Sequence, residues 1–451
     1  MRNARSAAVR ALLRFEQGRT GFLSEDLDRP DIEERDRPLA REIAYGVLRR
    51  RRLLDHLIGG LSRKGLPSDP LLLSVLRVGV YQLLYCPSIP ARAAVHSTVS
   101  LLGAERRSFP NALLRRIAGM IEGRAADPSN PRREIPLGED RTLDLGDLAF
   151  RRDRPALDPG ILGVLHSLPD FLVRRWVERH GARAEGILAA AGARPAIFLR
   201  NRAGLCSPKE LRLRLEGEGV SVAPARHPRV LRWEGGASPF GTSCFRDGWF
   251  VAQDPTAVEA AEALRVRPGE RVLDLCAAPG TKATLLAEAT GPGGVVHAHD
   301  VRARRLDLVR ANAERLSLPW LKIAENPDEA GLVDAVLVDA PCSNTGVLAR
   351  RAEARWRIEE TTFSDMARVQ RELLADAMRR VVPGGRVLYS TCSIEPEEDE
   401  QVVRSVLGGE WTLAAERLIL PLARECDGGY FALLEHRGFA PSDLPPAKIV
   451  T

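Results

Sequence analysis

The stretch RVLDLCAAPGTK, residues 271–282, predicts a buried strand that runs into a tight turn and then into a helix. Its apolar run, Val272–Leu275, is typical of a strand in a parallel sheet. The small residues of the turn allow a ligand to approach the backbone, and the N-terminus of the helix expected over residues 283–289 offers free N–H groups to a carboxylate. The stretch lacks G-x-G-x-x-G and G-x-x-x-x-G-K-[ST], which argues against a nicotinamide enzyme and a nucleoside triphosphatase.

An acidic residue follows this turn at a spacing typical of nucleotide-cofactor sites. Asp300 lies 20 residues beyond Gly280 and ends the next predicted strand, Val295–His299. A carboxylate in that position can accept hydrogen bonds from both ribose hydroxyls of an adenosine-containing cofactor. The alternative is that Asp300 caps the following helix, but the spacing favours the ribose role.

Further apolar runs alternate with helical patterns from about residue 246 onward and predict strands at 321–324, 335–338 and 387–389. This alternation predicts a doubly wound, Rossmann-like α/β domain with a parallel sheet over residues 246–440. The last two runs each lead to a cysteine, Cys342 in DAPCS and Cys392 in STCS. Open α/β folds place their sites at the carboxyl ends of strands, so we expect both thiols at one edge of the sheet.

The rest of the chain predicts a multidomain protein. Residues 1–125 show apolar positions at helical spacing, and residues 126–160, rich in Pro, Asp and Arg, are interpreted as a linker. Residues 161–245 mix short helical and strand patterns and predict a small α+β subdomain, and residues 441–451 form a tail.

Composition narrows the class of protein. The 451 residues are 44% hydrophobic and contain no apolar stretch of membrane length, and the charged N-terminus gives no export signal. Seven cysteines without C-x-x-C spacing indicate a reducing compartment rather than disulfides or zinc. We therefore expect a soluble cytoplasmic protein without metal or membrane partner, and a monomer by default. The net charge of +6 permits a polyanionic partner without requiring one.

A basic run, Arg49-Arg50-Arg51-Arg52, interrupts the first helical region. One interpretation is a solvated helix end, where cations interact favourably with the helix dipole. The other is a patch that contacts nucleic-acid phosphates. The run alone does not separate the two, but the remaining motifs favour RNA.

Five motifs in order resemble those of RNA cytosine-C5 methyltransferases, which use S-adenosyl-L-methionine: Gln253-Asp254-Pro255, residues 276–282, 339–343, 391–393, and Asp427-Gly428. The N-terminal region adds a second resemblance, because residues 42–49, 76–85 and 89–90 are similar to the helical domain of the antitermination factor NusB. A NusB-like domain ahead of this catalytic core resembles the Fmu/Sun type of 16S ribosomal RNA methyltransferases in the RsmB/NOP2/NSUN-like family.

This resemblance implies an all-α NusB-like RNA-binding domain, a small α+β RNA-binding subdomain and a methyltransferase domain. It implies that Cys392 attacks carbon 6 of cytosine, that Cys342 assists product release, and that Asp339 binds the N3/N4 edge with Lys282 nearby. From the residues alone, the roles of the two cysteines stay open. The cofactor-binding residues that it implies are Cys276, Ala277, Ala278, Pro279, Gly280, Thr281, Lys282, Asp300, Arg305, Glu325 and Asp339, and the RNA-binding ones are Arg49, Arg50, Arg51, Arg52 and Arg200.

The chain departs from the family pattern at several positions, with Thr281 and Asn344 in place of glycines, Ala283 in place of Thr and Gly429 in place of Phe. Two alternatives to the 16S rRNA enzyme stay open. One is the same chemistry on transfer RNA or another ribosomal site. The other is a non-catalytic RNA-binding assembly factor, which predicts a lost thiol or acid, whereas Cys342, Cys392, Asp339 and Asp300 are all retained.

Overall fold

The computed structural model describes residues 3–150 and 158–438. The chain forms two compact units. The helical unit comprises Met1–Arg194 and Arg351–Arg357, and the α/β unit comprises Pro195–Arg350 and Ile358–Thr451. The predicted tail, 441–451, and residues 151–157 of the predicted linker lie outside the described residues.

The helical unit is built on amphipathic helices. The predicted apolar faces are confirmed, since Ala8, Leu12, Ile43, Val47 and Leu76 are all buried in one core. Its elements are α1 (Ala4–Glu16), α2 (Ser24–Leu27), α3 (Arg37–Leu61), α4 (Pro70–Tyr85), α5 (Ala91–Val99), α6 (Ser108–Ala118), β1 (Ile121–Glu122), β2 (Glu134–Pro136), β3 (Thr142–Asp144), α7 (Pro159–His166), α8 (Asp170–His180) and α9 (Ala184–Gly192).

The expected linker and domain boundary need correction. Strands β2 and β3 lie inside the expected linker and pair with β1, just before it, as an antiparallel sheet in the order β1-β3-β2. Leu143 of β3 is buried in the helical core. Helices α7–α9, which we expected in a separate subdomain, belong to the helical unit. The reason is long-range pairing with α3, because Arg52 donates to the Leu168 carbonyl and pairs with Asp170 at 2.5 Å.

A segment from far along the chain completes the core of the helical unit. In residues 351–357, the fully buried Arg355 donates to the backbone carbonyl of Ala191 at 2.6 Å. Glu353 accepts the Leu23 N–H at 3.1 Å, and Trp356 donates its indole N–H to Leu48 at 3.0 Å. No local sequence pattern predicts this insertion.

The α/β unit contains two sheets. Its elements are β4 (Phe198–Asn201), α10 (Pro208–Gly217), β5 (Val220–Pro224), β6 (Val230–Gly236), α11 (Ser243–Arg246), β7 (Phe250–Ala252), α12 (Pro255–Glu262), β8 (Arg271–Asp274), α13 (Thr281–Thr290), β9 (Val295–Ala298), α14 (Ala303–Arg315), β10 (Leu321–Ile323), β11 (Val333–Asp339), α15 (Thr362–Arg379), β12 (Val381–Thr391), α16 (Glu400–Val406), β13 (Trp411–Ile419) and β14 (Gly429–His436). An antiparallel sheet has the order β5-β6-β4-β7, and a larger sheet has the order β10-β9-β8-β11-β12-β14-β13.

The larger sheet positions the site. All five predicted strands form, and β8 to β12 are parallel, but β14 and β13 add antiparallel pairs, so the sheet is mixed rather than wholly parallel. The strand order reverses between β8 and β11, where such folds bind ligands beyond the carboxyl ends of the strands. In the described part of the chain no helix is both long and apolar enough to cross a bilayer.

Candidate active site

The turn after β8 is held against the start of α14. Gly280 has a φ of +100°, and a side chain there would bring its Cβ within 3.1 Å of the Val309 Cα, so only glycine fits without a shift of backbone. Asp300 accepts the Ala278 N–H at 3.3 Å, and Arg305 donates to the Ala278 carbonyl at 2.8 Å. The N-cap residue of α14, Arg302, makes no side-chain cap, but the Asp300 carboxylate accepts the Arg302 N–H at 2.9 Å just before the helix. Asp300 therefore helps to start α14, and this contact stands beside the expected ribose role.

A buried acid that the sequence patterns do not predict as a site residue lies at the end of β8. Asp274 is fully buried, and neither of its carboxyl oxygens has a hydrogen-bond partner among the described residues. Burial raises the pKa of Asp274 to about 8, and the nearby Asp339 adds to the rise. Buried polar groups are nearly always satisfied, so this carboxyl fits a ligand that brings a hydrogen-bond donor.

The two predicted thiols meet. Parallel pairing places Asp339 of β11 opposite Ser390 of β12, and the loops that follow bring the Cys342 and Cys392 sulfurs to 3.2 Å. Gly346 fixes this approach, because its N–H donates to the Cys392 carbonyl at 2.9 Å. A Cβ at Gly346 would lie 2.5 Å from the carbonyl oxygen of Gly428, so any side chain would force the loops apart.

A cation lies beside this pair. The Lys282 ammonium is 2.6 Å from the Asp339 carboxylate, which also accepts the Ser390 hydroxyl at 2.9 Å. Burial lowers the pKa of Lys282, but Asp339 outweighs it and the net pKa is raised, so Lys282 is charged. Its charge also interacts with Cys392. The hydrogen bond to Cys392, together with burial, raises the pKa of Cys342 well above its usual value, so Cys342 keeps its proton.

A second missed residue, Glu398, joins the two cysteine loops. It accepts the Ser343 N–H at 2.8 Å and the Ser393 hydroxyl at 2.6 Å, and Gln370 donates to it at 3.1 Å. The run Glu395-Pro396-Glu397-Glu398 has the pattern of a helix start, with Pro and acidic residues in the first turn. However, α16 begins only at Glu400, and Glu398 is fully buried. The position of this acidic run directly after the Thr-Cys-Ser loop was the available signal.

Two flanking motifs also meet. Arg350 pairs with Asp427 at 2.5 Å and with Asp254 at 3.2 Å, and the Asp427 N–H donates to Asp254 at 3.1 Å. Thr256 donates its hydroxyl to the Asp427 carbonyl at 2.7 Å. Arg350, in the segment after Cys342, therefore ties this segment to the motif that precedes β8 and to the motif that precedes β14.

Arg200 plays a different part from the one expected. Its side chain is fully buried, pairs with Glu288 of α13 at 2.8 Å and donates to Gln253 at 2.7 Å. It therefore anchors the helix that follows the turn at 276–282, and as a fully buried side chain it offers no surface to RNA. This corrects the expected RNA contact.

Comparison with known proteins agrees with this geometry. Residues 261–427 match the family described as 16S rRNA methyltransferase RsmB/F, and residues 2–119 match the NusB family. The ribosomal RNA small subunit methyltransferase B of Proteus mirabilis is 30% identical over 96% of this chain and 99% of its own. A putative methyltransferase of Mycobacterium tuberculosis is 35% identical over 80% of this chain and 76% of its own.

The chain belongs to the RsmB/F family of 16S rRNA methyltransferases. The fold agrees with solved structures: a methyltransferase homolog from Pyrococcus horikoshii gives a TM-score of 0.55 at 25% identity, over 62% of this chain and 98% of that one. NSun6 from the same organism, solved with SFG, gives 0.53 at 18% identity, over 58% and 97%.

Within the region that matches NusB, the four arginines expected to bind RNA point in different directions. They lie in the middle of α3 rather than at a helix end, and successive helical residues point about 100° apart. Arg49 is buried, Arg50 stacks on Tyr85, Arg51 stacks on Trp356, and Arg52 pairs with Asp170. The structure therefore does not bring them together as one patch.

The remaining predicted residue of the family's cofactor set, Glu325, is exposed in the loop after β10. In the described residues no group of three or more His, Cys, Asp or Glu side chains could hold a metal.

Proposed function

We propose that this protein is an S-adenosyl-L-methionine-dependent methyltransferase that modifies carbon 5 of a cytosine in 16S ribosomal RNA. The observation that carries the proposal is the pair of thiols 3.2 Å apart at the ends of β11 and β12, with the charged Lys282 beside them. Few reactions need two positioned thiols without a metal or a disulfide, and methyl transfer to a pyrimidine C5 is one. The relatives' names and the NusB match support ribosomal RNA as the substrate class.

The cofactor fits the residues around the turn after β8. The turn at 276–282, Asp300 and Arg305 would hold its nucleoside part, with Glu325 on the adenine side. Asp274, a buried acceptor without a partner among the described residues, suits an ammonium donor such as that of the methionine part. The bound cofactor supplies an electrophilic methyl group.

Cys392 acts as the nucleophile in this proposal. Its thiolate adds to carbon 6 of cytosine, which makes carbon 5 an enamine carbon able to attack a methyl group. Lys282 favours the thiolate electrostatically, and Asp339 binds the N3/N4 edge of the base and offsets the charge that develops there. After methyl transfer, carbon 5 gives its proton to solvent water, and the electron pair of that C–H bond re-forms the double bond between carbons 5 and 6. The bond between Cys392 and carbon 6 breaks at the same time, and Cys392 leaves as a thiolate.

Cys342 assists this last step. It keeps its proton because of the raised pKa and lies against the sulfur that must leave. A neutral thiol in hydrogen-bond contact with the departing thiolate stabilises it as it forms. The two cysteines thus have unequal parts.

Trapping the covalent intermediate tests the assignment. The wild type, Cys342→Ala and Cys392→Ala are incubated with 16S rRNA transcript and cofactor, and denaturing gels detect protein–RNA adducts while bisulfite sequencing maps 5-methylcytosine. Cys342→Ala should accumulate an adduct and Cys392→Ala should form none. Cys426→Ala, which alters a buried cysteine outside the pair, is the matched control. Swapped adducts would reverse the roles, and unchanged methylation in both variants would exclude the mechanism.

A further inference from the structure

The helical unit contains an open cavity that the catalytic site does not use. The cavity has a volume of about 910 Å³ and is lined by the loop after α1, by α3 and α4, and by the inserted segment. Ligand pockets of about 300–1,000 Å³ hold a nucleotide or a drug-sized molecule. Every lining residue belongs to the helical unit.

The lining is basic. Four arginines, Arg19, Arg51, Arg77 and Arg357, face two glutamates, Glu16 and Glu25. Both acids have partners, because Glu16 pairs with Arg77 and Glu25 accepts the Thr20 hydroxyl at 2.7 Å. Arg77 also pairs with Asp55 at 2.7 Å.

The other three arginines of the cavity make no direct ion pair. Among the described residues, Arg19, Arg51 and Arg357 form no ion pair with a carboxylate, whereas Arg77 pairs with Glu16 and Asp55. Arg51 is partly buried and stacks on Trp356 at 4.4 Å, so it is held in place by the cavity wall. Burial lowers the pKa of Arg51 and the neighbouring Arg77 adds to this, against the opposing effect of Glu16 and Asp55.

Aromatic rings position the guanidinium groups. Arg357 lies 5.1 Å from the ring centroid of Phe15 and 5.4 Å from that of Phe22. A planar guanidinium held against a ring keeps its edge N–H groups free to form paired hydrogen bonds with phosphate oxygens. A cavity of nucleotide size with several such groups is suited to a phosphodiester chain rather than to an apolar or cationic ligand.

We propose that this cavity binds the phosphodiester backbone of a single-stranded segment of the substrate RNA through Arg19, Arg51 and Arg357. The inference rests on the proposed function, since it takes the substrate to be RNA. It replaces a continuous patch at residues 49–52 with a site to which only one of those four arginines contributes. The inserted segment supplies Arg357 and Trp356, so the site forms only when residues 351–357 are seated in the helical unit.

Salt-dependent binding tests the site. The triple variant Arg19→Gln/Arg51→Gln/Arg357→Gln is compared with the equally neutralised control Arg63→Gln/Arg92→Gln/Arg183→Gln, whose three exposed arginines belong to the same unit but do not line this cavity. The probes are fluorescein-labelled oligouridylate and 16S rRNA transcript. The logarithm of the RNA association constant decreases linearly with the logarithm of the salt concentration, and each phosphate contact adds about 0.7 to the steepness of this decrease. In the cavity variant the decrease should therefore be less steep by about two. The KM for RNA should rise roughly tenfold or more. The control should change both much less.

Equal losses in the two triple variants would overturn the proposal, because they would show a general effect of charge. Arg19→Gln and Arg357→Gln alone, both at exposed side chains, cover the case in which removing Arg51 unfolds the unit; each should lower the slope by about 0.7, and an unchanged slope in both would also overturn it. If the wild type does not methylate RNA, the proposed function fails. If it does and the cavity variant binds RNA like the control, only the site is wrong.

Discussion

The side-chain oxygen of Asn344 accepts a hydrogen bond from the Cys392 thiol at 3.4 Å. Asn344 has a φ of +65°, and its amide nitrogen donates to the Cys342 carbonyl at 2.7 Å. The residue that replaces a glycine of the family pattern therefore combines a left-handed backbone with a contact to each cysteine. Asn tolerates that conformation better than most residues.

Removing the Asn344 amide should make Cys392 more reactive in the resting enzyme. The neutral thiol makes this hydrogen bond and the thiolate does not, so Asn344→Gly should speed alkylation of Cys392 by iodoacetamide at neutral pH roughly two- to tenfold. Mass spectrometry of the peptides identifies the alkylated cysteine. Asn344→Ala has the same loss of amide but adds about 1 kcal/mol of backbone strain. A lower melting temperature for Asn344→Ala than for Asn344→Gly would separate backbone strain from the loss of the amide. An unchanged alkylation rate in Asn344→Gly would contradict the role of the amide.

Shortening Glu398 should loosen both cysteine loops together. Glu398→Ala leaves the Ser343 N–H and the Ser393 hydroxyl without their buried acceptor, which costs about 3 kcal/mol of the free energy of unfolding. Glu398→Gln keeps an acceptor oxygen and should cost less. Burial raises the pKa of Glu398, which shifts the acid toward the neutral form that Gln resembles. Urea unfolding measures the loss of stability. The yield of protein–RNA adduct in the Cys342→Ala background shows whether the loops still position Cys392. Equal stability of Ala and Gln would show that the bridge is unimportant.

The sequence predicts the parts of this site that depend on local patterns. Apolar runs place β8 to β12, and the residues just after them, including Asp300, Cys342 and Cys392, follow because strand ends define the site edge. Glu398 could not be predicted in this way, because its partners lie on two other segments and its own run resembles a helix start. Propensity describes neighbours along the chain, whereas this bridge depends on strand register.

The same limit explains the errors at domain scale. Residues 126–160 are polar and rich in turn formers, which predicts a linker, but Leu143 is buried in the helical core. Arg200 is basic, which suggests RNA, but its partner Glu288 is 88 residues away. Charge and composition are local quantities, and long-range pairing overrides them.

Asp274 predicts a distinctive pH dependence of stability. Its pKa is raised to about 8 in the folded protein, so the native state binds this proton more tightly than the unfolded chain, in which the pKa is about 4. Native stability therefore falls as pH rises between those values. Relative to Asp274→Asn, which mimics the protonated acid, the wild type should lose about 1.4 kcal/mol per pH unit from pH 5.5 to 7.5. Urea titrations of both proteins across this range measure the difference, and a constant difference would show that Asp274 is ionised throughout.

The inserted segment should be needed for a stable helical unit. A fragment of residues 1–194 lacks Arg355 and Trp356, so the carbonyls of Ala191 and Leu48 lose their donors, and Leu23 loses the acceptor that Glu353 provides. At about 1 kcal/mol for each hydrogen bond, the loss is about 3 kcal/mol before any loss of packing. Appending residues 351–357 through a Gly/Ser linker should restore the melting temperature, measured by circular dichroism. The matched control appends the same seven residues in scrambled order. The scrambled segment has the same composition but cannot reproduce the specific buried partners. Equal melting temperatures for the two appended fragments would therefore show that the native segment adds no stability to the unit.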